Sequence, residues 1–153
     1  MIGATSCGEG AEATSKKVEL VDFDLSEHGI PAVVTAPSDA VVKSKLSEQE
    51  AVDFEMESYT VTSGNYCLSM IVTDVREGKT VADLVADSKI YISDDVKVVE
   101  EIDNGFITLD EYGSHDFFWA AENDGKFLEF SAGISKSNLS LEDIHVMLKS
   151  IKL

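Results

Sequence analysis

The residues best suited to chemistry lie around His115. Asp110 and Glu111 precede it, and Asp116 follows it directly. Imidazole nitrogens and carboxylate oxygens together bind divalent metals such as zinc and manganese. The spacing matches no metal-binding motif, however, and acidic residues beside Gly113 are equally typical of a polar loop between two strands. We therefore predict no metal and no other cofactor, and keep these four residues as weak candidate ligands.

No other arrangement of residues points to catalysis. The chain has no glycine-rich phosphate loop, no GxSxG nucleophile elbow, no HExxH or CxxC pair and no dinucleotide-binding fingerprint. Its three histidines, His28, His115 and His145, stand far apart in the sequence. Because no nucleophile is paired with a base, we predict that the protein is not an enzyme and has no catalytic residue.

The residues at the N-terminus indicate where in the cell the protein is located. Small residues from Gly3 to Ser6 precede Cys7, and a flexible acidic stretch rich in Gly, Ala, Ser and Thr follows it. This pattern resembles the cleavage site of a bacterial lipoprotein signal, in which the cysteine becomes the lipidated first residue. The resemblance implies a lipid anchor on Cys7, a periplasmic or surface-exposed place in the bacterial cell envelope, and membrane contact only through that anchor. The alternative is a frayed N-terminus with an incidental cysteine.

The charge of the chain limits its partners. It carries 29 acidic and 12 basic residues, for a net charge of -17. The imbalance is concentrated in residues 18–125, which hold 24 acids and six bases and so carry -18. Such a field repels phosphate backbones and disfavours electrostatic attachment to anionic lipid. We therefore predict that nucleic acid is not a partner.

Most of the sequence has the pattern of antiparallel strands. Val52, Phe54 and Met56 alternate with acidic residues, which gives one buried and one solvated face. Asn-Gly and Asp-Gly pairs favour tight turns because both residues reach positive φ at little cost. The predicted strands cover 18–25, 30–36 and 41–46, followed by a long hairpin over 52–72 and by two hairpins that turn at 103–105 and at 123–125.

Two helices are predicted, over 80–90 and over 140–152. Each begins with a hydroxyl residue followed three positions later by an aspartate, a spacing typical of helix N-termini: Thr80 with Asp83, and Ser140 with Asp143. The second helix has an apolar stripe at Leu141, Ile144, Leu148 and Ile151. We predict an α+β fold, a twisted antiparallel sheet with both helices packed on it. This single domain covers 18–153, after a signal remnant and flexible tether over 1–17.

This order of elements resembles the PsbP/Mog-type fold, in particular its small bacterial lipoproteins. The resemblance is carried by "GIPAVVTAP" early in the chain, by "NGFI" and "FFWAAENDGKFLEFSAG" as late hairpins, and by "SLEDIHVMLKSI" at the end. It covers roughly residues 18–153 and rests on element order and strand texture. The superfamily includes extrinsic photosystem proteins and a nuclear GTPase-binding protein, which implies non-catalytic docking to a larger partner.

Two functions of different classes follow. The first is a lipid-anchored, non-catalytic accessory protein of the bacterial envelope that docks to another envelope protein. The second is a carrier of a small molecule or metal, with a pocket between sheet and helix lined by aromatic residues such as Phe106, Phe117 and Trp119. A large apolar cavity favours the carrier, whereas a solid core with one flat exposed patch favours docking.

Overall fold

Ten strands and two helices form the part of the chain that a computed structural model describes, residues 19–47, 56–64, 66–132 and 138–153. The strands are β1 Leu20–Asp24, β2 Val33–Pro37, β3 Val41–Ser47, β4 Met56–Ser63, β5 Tyr66–Asp74, β6 Lys97–Ile102, β7 Gly105–Leu109, β8 His115–Asn123, β9 Lys126–Ala132 and β10 Ile151–Lys152. The helices are α1 Val81–Ile90 and α2 Leu141–Ser150, and a turn of 3-10 helix covers Leu25–His28. The predicted α+β class is confirmed. The predicted tether and Cys7 lie outside the described residues.

The strands form two antiparallel sheets, where the sequence predicted one. The larger sheet has the order β3-β4-β5-β9-β8-β7-β6, and the smaller has the order β1-β2-β10. In the larger sheet, hairpin neighbours pair directly, but β5 also pairs with β9 across more than fifty residues of chain. That long-range pairing brings the first and last hairpins together, so that β6 and β7 continue the sheet on one side.

Local turn chemistry explains the β8–β9 hairpin and, through the positive φ of 60° at Asn104, part of the β6–β7 hairpin. Asp124 and Gly125 take φ values of 51° and 75°, as the predicted turn requires. In β6–β7, Ile102 pairs with Gly105, so the glycine lies in the strand rather than in the turn. A Cβ on Gly105 would lie 2.1 Å from the Phe118 carbonyl oxygen. Glycine is needed there because two backbones approach closely.

Both helices begin as predicted, but the second ends earlier. In each, the N-cap hydroxyl accepts a bond from the backbone of the third helical residue, whose carboxylate accepts one in return. Helix α2 ends at Ser150, because Ile151 and Lys152 pair with β2 instead of continuing the helix. Three residues of the predicted stripe, Ile144, Leu148 and Ile151, pack on the main core as expected. The fourth, Leu141, is instead 38% exposed, and the buried Met147 was not predicted.

Helices cover both faces of the larger sheet. On one face, α2 and the smaller sheet enclose the main core, whose largest fully buried side chains include Leu25, Met70, Leu128, Phe130 and Ile144. On the other face, α1 packs over a smaller cluster formed by Leu84, Ala120 and Phe127. Neither helix, nor any other within the described segments, is long and apolar enough to span a membrane.

Candidate functional site

A groove of about 610 Å³ lies between α1 and the face of the larger sheet that α1 only partly covers. Its wall consists of residues from one side of α1 and from the segment that follows, including Leu84, Ser88, Tyr91 and Val96. Its floor consists of side chains from β5, β7, β8 and β9, because alternate residues of each strand point to this face. We call this cavity the α1 groove.

Two stacked phenyl rings form the apolar part of the floor. Phe106 of β7 and Phe118 of β8 are direct cross-strand partners, and their ring centroids lie 5.6 Å apart with an interplanar angle of 23°. Phe106 is buried, whereas Phe118 is half-buried. The Lys89 ammonium lies 5.5 Å from the Phe106 ring centroid and also bonds to the Glu101 carboxylate. The end of α1 is thereby joined to β6.

The aromatic residues expected from the sequence divide between the two faces of the sheet. Phe106 lines the α1 groove as expected. Phe117 borders the groove but belongs to the main core. Trp119 lies on the opposite face, with its ring 5.6 Å from that of Phe130, and does not line the groove. The sequence missed Phe118 because every residue of the run 117–119 is aromatic, so that alternation could not indicate which residue faced which side.

Asp116 places a carboxylate in the lining of the groove. Its Oδ1 accepts hydrogen bonds from the backbone N–H groups of Phe117 at 2.7 Å and Ala132 at 2.9 Å. These bonds favour the ionised form, yet burial by the surrounding protein raises the pKa of the Asp116 carboxyl group, and the negative charge of Asp110 adds to the rise. Asp116 is nevertheless an exposed residue, so its carboxylate lines the groove while it keeps contact with solvent.

Glu129 is a second carboxylate in the lining. Burial raises its pKa, while the positive charges of Arg76 and Lys79 act in the opposite direction. The negative charge of Asp87 raises the pKa further, although Asp87 itself forms an ion pair with Lys79. Glu129 therefore has both positively and negatively charged neighbours, whereas the charged neighbour that acts on Asp116 is an acid.

The acidic residues before His115 form a turn. Asp110 Oδ1 accepts hydrogen bonds from the backbone N–H groups of Tyr112 and Ser114, both at 2.9 Å. Glu111 is exposed within the same turn. This is the polar-loop alternative that the sequence left open, and it accounts for the acid-rich composition without a ligand.

His115 and Asp116 point to opposite faces of β8 because they are consecutive strand residues. His115 Nδ1 donates to the Leu139 carbonyl oxygen at 3.1 Å, towards α2. Within the described segments, no group of three or more His, Cys, Asp or Glu residues is placed to hold a metal ion. The four weak candidate ligands therefore do not form a metal-binding group there, and the absence of a cofactor stays a prediction.

A second groove, of about 510 Å³, lies beside α2 and includes Leu20, Tyr66 and Val146 in its lining. The Tyr66 hydroxyl is buried, and no donor or acceptor among the residues described has hydrogen-bond geometry to it. Burial raises its pKa to about 12, although the adjacent Ser150 hydroxyl acts in the opposite direction. The nearby Ser150 hydroxyl donates instead to the Met147 carbonyl oxygen at 2.6 Å.

Exposed apolar side chains lie beside the α1 groove. At the end of α1, Ile90 is 75% exposed and Tyr91 is 86% exposed, and Tyr91 also lines the groove. On the edge strand β6, Val98 and Val99 are exposed as well. We call these four residues the apolar rim.

Comparison of the chain with protein families, with curated proteins and with solved structures gives no match.

Proposed function

We propose that this chain is a non-catalytic binding protein and that the α1 groove is its binding site. The groove supports this proposal because it combines a volume of about 610 Å³ with the Phe106–Phe118 stack and with charged and hydroxyl side chains around it. Small-molecule sites typically measure about 300–1,000 Å³ and combine apolar and aromatic surface with polar groups that orient the ligand. The described lining contains hydroxyl groups and carboxylates but no histidine to activate them. Binding without catalysis is the simplest use of such a site.

A neutral apolar dye tests the groove. In the Ser88→Trp variant the indole ring should fill the groove, since Ser88 lines it and is half-buried. The fluorescence increase of Nile red should saturate at one dye per chain with wild type, and the apparent affinity should fall at least about tenfold in the variant. Ala86→Trp places the same ring on the exposed side of α1 and should leave binding unchanged. Equal binding by both variants would show that the dye, and by extension the site, lies elsewhere.

We further propose that the protein is anchored to the bacterial envelope through a lipid on Cys7. Two observations support this: the small residues before Cys7 with the flexible stretch after it, and the resemblance to the small lipoproteins of the PsbP/Mog-type fold. We propose that fold family for residues 18–153. The α+β architecture is compatible with it. In this proposal the anchor holds the domain beside the membrane, which is otherwise not a binding partner.

Docking to another envelope protein is a second candidate function. The apolar rim favours it, because exposed apolar residues grouped beside a cleft are typical of interaction surfaces. A docking partner would cover Ile90 and Tyr91, whereas a small ligand would occupy only the groove behind them. The acidic surface again excludes nucleic acid from the proposed partners.

Metabolic labelling tests the location. Radiolabelled palmitate should enter the full-length wild-type protein expressed in bacteria, and Cys7→Ser should lose the label because it lacks the thiol that is acylated. Cys67→Ser is the matched control and should keep the label, since Cys67 is buried in β5. Label that persists in Cys7→Ser would remove the anchor from the proposal. Unlabelled wild type in the soluble fraction would remove the envelope partner as well.

A further inference from the structure

The carboxylates that line the α1 groove differ in whether a positively charged side chain lies near them. The lining has one guanidinium, Arg76, and three carboxylates, Asp87, Asp116 and Glu129. The positive charges of Arg76 and Lys79 act on Glu129, and Lys79 also pairs with Asp87. Two of the three carboxylates, Asp87 and Glu129, are therefore already compensated by cations that precede α1 in the chain.

Asp116 lacks such compensation within the described part of the chain. The five ion pairs found there do not include it, and the charged neighbour that acts on its carboxyl group is another acid, Asp110. Its two hydrogen bonds, from Phe117 and Ala132, both go to Oδ1. A carboxylate has two oxygens and four lone-pair positions, so Oδ2 has capacity for a donor from a ligand.

An aromatic surface lies next to this carboxylate. Phe118 is two residues from Asp116 on the same strand, so both point to the same face of the sheet. The half-buried Phe118 ring is stacked on Phe106. Lys89 shows that a cation is already accommodated over one of these rings, at 5.5 Å from the Phe106 centroid. Faces of aromatic rings attract cations and also cover apolar groups.

We propose that the α1 groove binds an organic ammonium ion, with the charged end at Asp116 and an apolar body on the Phe106–Phe118 stack. This proposal rests on the function proposed above and names its ligand class. An ammonium group donates hydrogen bonds to a carboxylate and carries the opposite charge, whereas an anion is repelled by it. The net charge of -17 also concentrates cations near the protein and repels anions.

Three probes with the same apolar body test the ligand class: 4-phenylbutylammonium, 4-phenylbutanol and 4-phenylbutyrate. Titration of the intact protein by calorimetry at low salt should give one site for the ammonium probe. Its affinity should be about tenfold higher than that of the alcohol, and the carboxylate should bind most weakly. The difference in affinity between the ammonium probe and the alcohol should decrease as salt is added, because screening weakens charge pairs that keep contact with solvent.

Asp116→Asn tests the position of the charged end. The amide keeps the shape of the side chain but removes its charge, so the ammonium probe should lose about tenfold in affinity while the alcohol is unaffected. Glu27→Gln removes one negative charge from an exposed position in the 3-10 turn, outside the lining, and should change neither affinity. A loss of the same size in Glu27→Gln would assign the preference to net charge and overturn the proposed contact.

The two proposals fail in different ways. Ammonium, alcohol and carboxylate probes that bind equally, with all binding lost in Ser88→Trp, would overturn the ligand class but keep the groove as the site. Probes that bind without any dependence on Ser88→Trp would overturn both. A preference for the ammonium probe that disappears in Asp116→Asn and persists in Glu27→Gln supports both.

Discussion

Replacing Gly105 with alanine should destabilise the domain by at least about 3 kcal/mol, which corresponds to a fall of roughly 10 °C in Tm for a domain of this size. The added Cβ would lie 2.1 Å from the Phe118 carbonyl oxygen and 3.0 Å from the Trp119 Cα. Both are backbone atoms, so the clash cannot be relieved by a change of rotamer. The β7–β8 pairing must shift, and with it the Phe106–Phe118 stack. Thermal melting followed by circular dichroism measures the effect.

Gly78→Ala is the matched control for this prediction. Its φ is 76°, which strains an alanine by roughly 1–2 kcal/mol, but no atom lies within 4 Å of the added Cβ. The loss of stability should therefore be smaller than in Gly105→Ala. If Gly105→Ala melts at the wild-type temperature, then β7 and β8 do not approach as closely as described.

Ile144→Asp should abolish cooperative folding. Ile144 is fully buried in the main core, where α2 covers the larger sheet. An aspartate there must either remain charged without a partner or take up a proton, and the cost is on the order of 5 kcal/mol. That is comparable to the whole free energy of unfolding of many domains. Chemical denaturation should show no cooperative transition for this variant.

Two further variants of α2 should lower the stability by smaller amounts and separate the effect of lost packing from that of a buried charge. Ile144→Ala removes volume without adding charge and should cost about 2–5 kcal/mol, which leaves a measurable transition. Val146→Asp places the same carboxylate on a side chain that is 58% exposed in the same helix, and should cost less than about 1 kcal/mol. Similar stabilities for Ile144→Asp and Val146→Asp would mean that α2 is not docked through Ile144.

The sequence determined the features that depend on residues near each other in the chain. The Thr80–Asp83 and Ser140–Asp143 caps span only three residues, so their chemistry could be recognised directly. The turn at Asp124-Gly125 requires positive φ at both residues, which these residue types tolerate. The alternation of apolar and polar residues predicted strands, and the hairpins predicted antiparallel pairing. Together these local signals were sufficient for the α+β class.

Tertiary structure decided what depends on distant partners. The end of α2 is at Ser150 because Ile151 pairs with Val34, more than a hundred residues away, and no pattern near Ile151 indicates this. The same pairing helps to build a second sheet. The sequence predicts a turn at Gly105, since only the position of the neighbouring β8 backbone shows that a side chain would not fit there.

The candidate site was decided in the same way. The sequence grouped His115 with Asp116 because they are adjacent, but the pleat of β8 directs them to opposite faces. It also grouped Phe117 with Trp119, which do share a face, although that face belongs to the main core. Asp116 and Phe118 share the other face because they are alternate residues of β8, and they line a groove because α1 covers that face only in part. Periodicity shows which residues share a face, but the packing of the helices determines which face keeps a cavity.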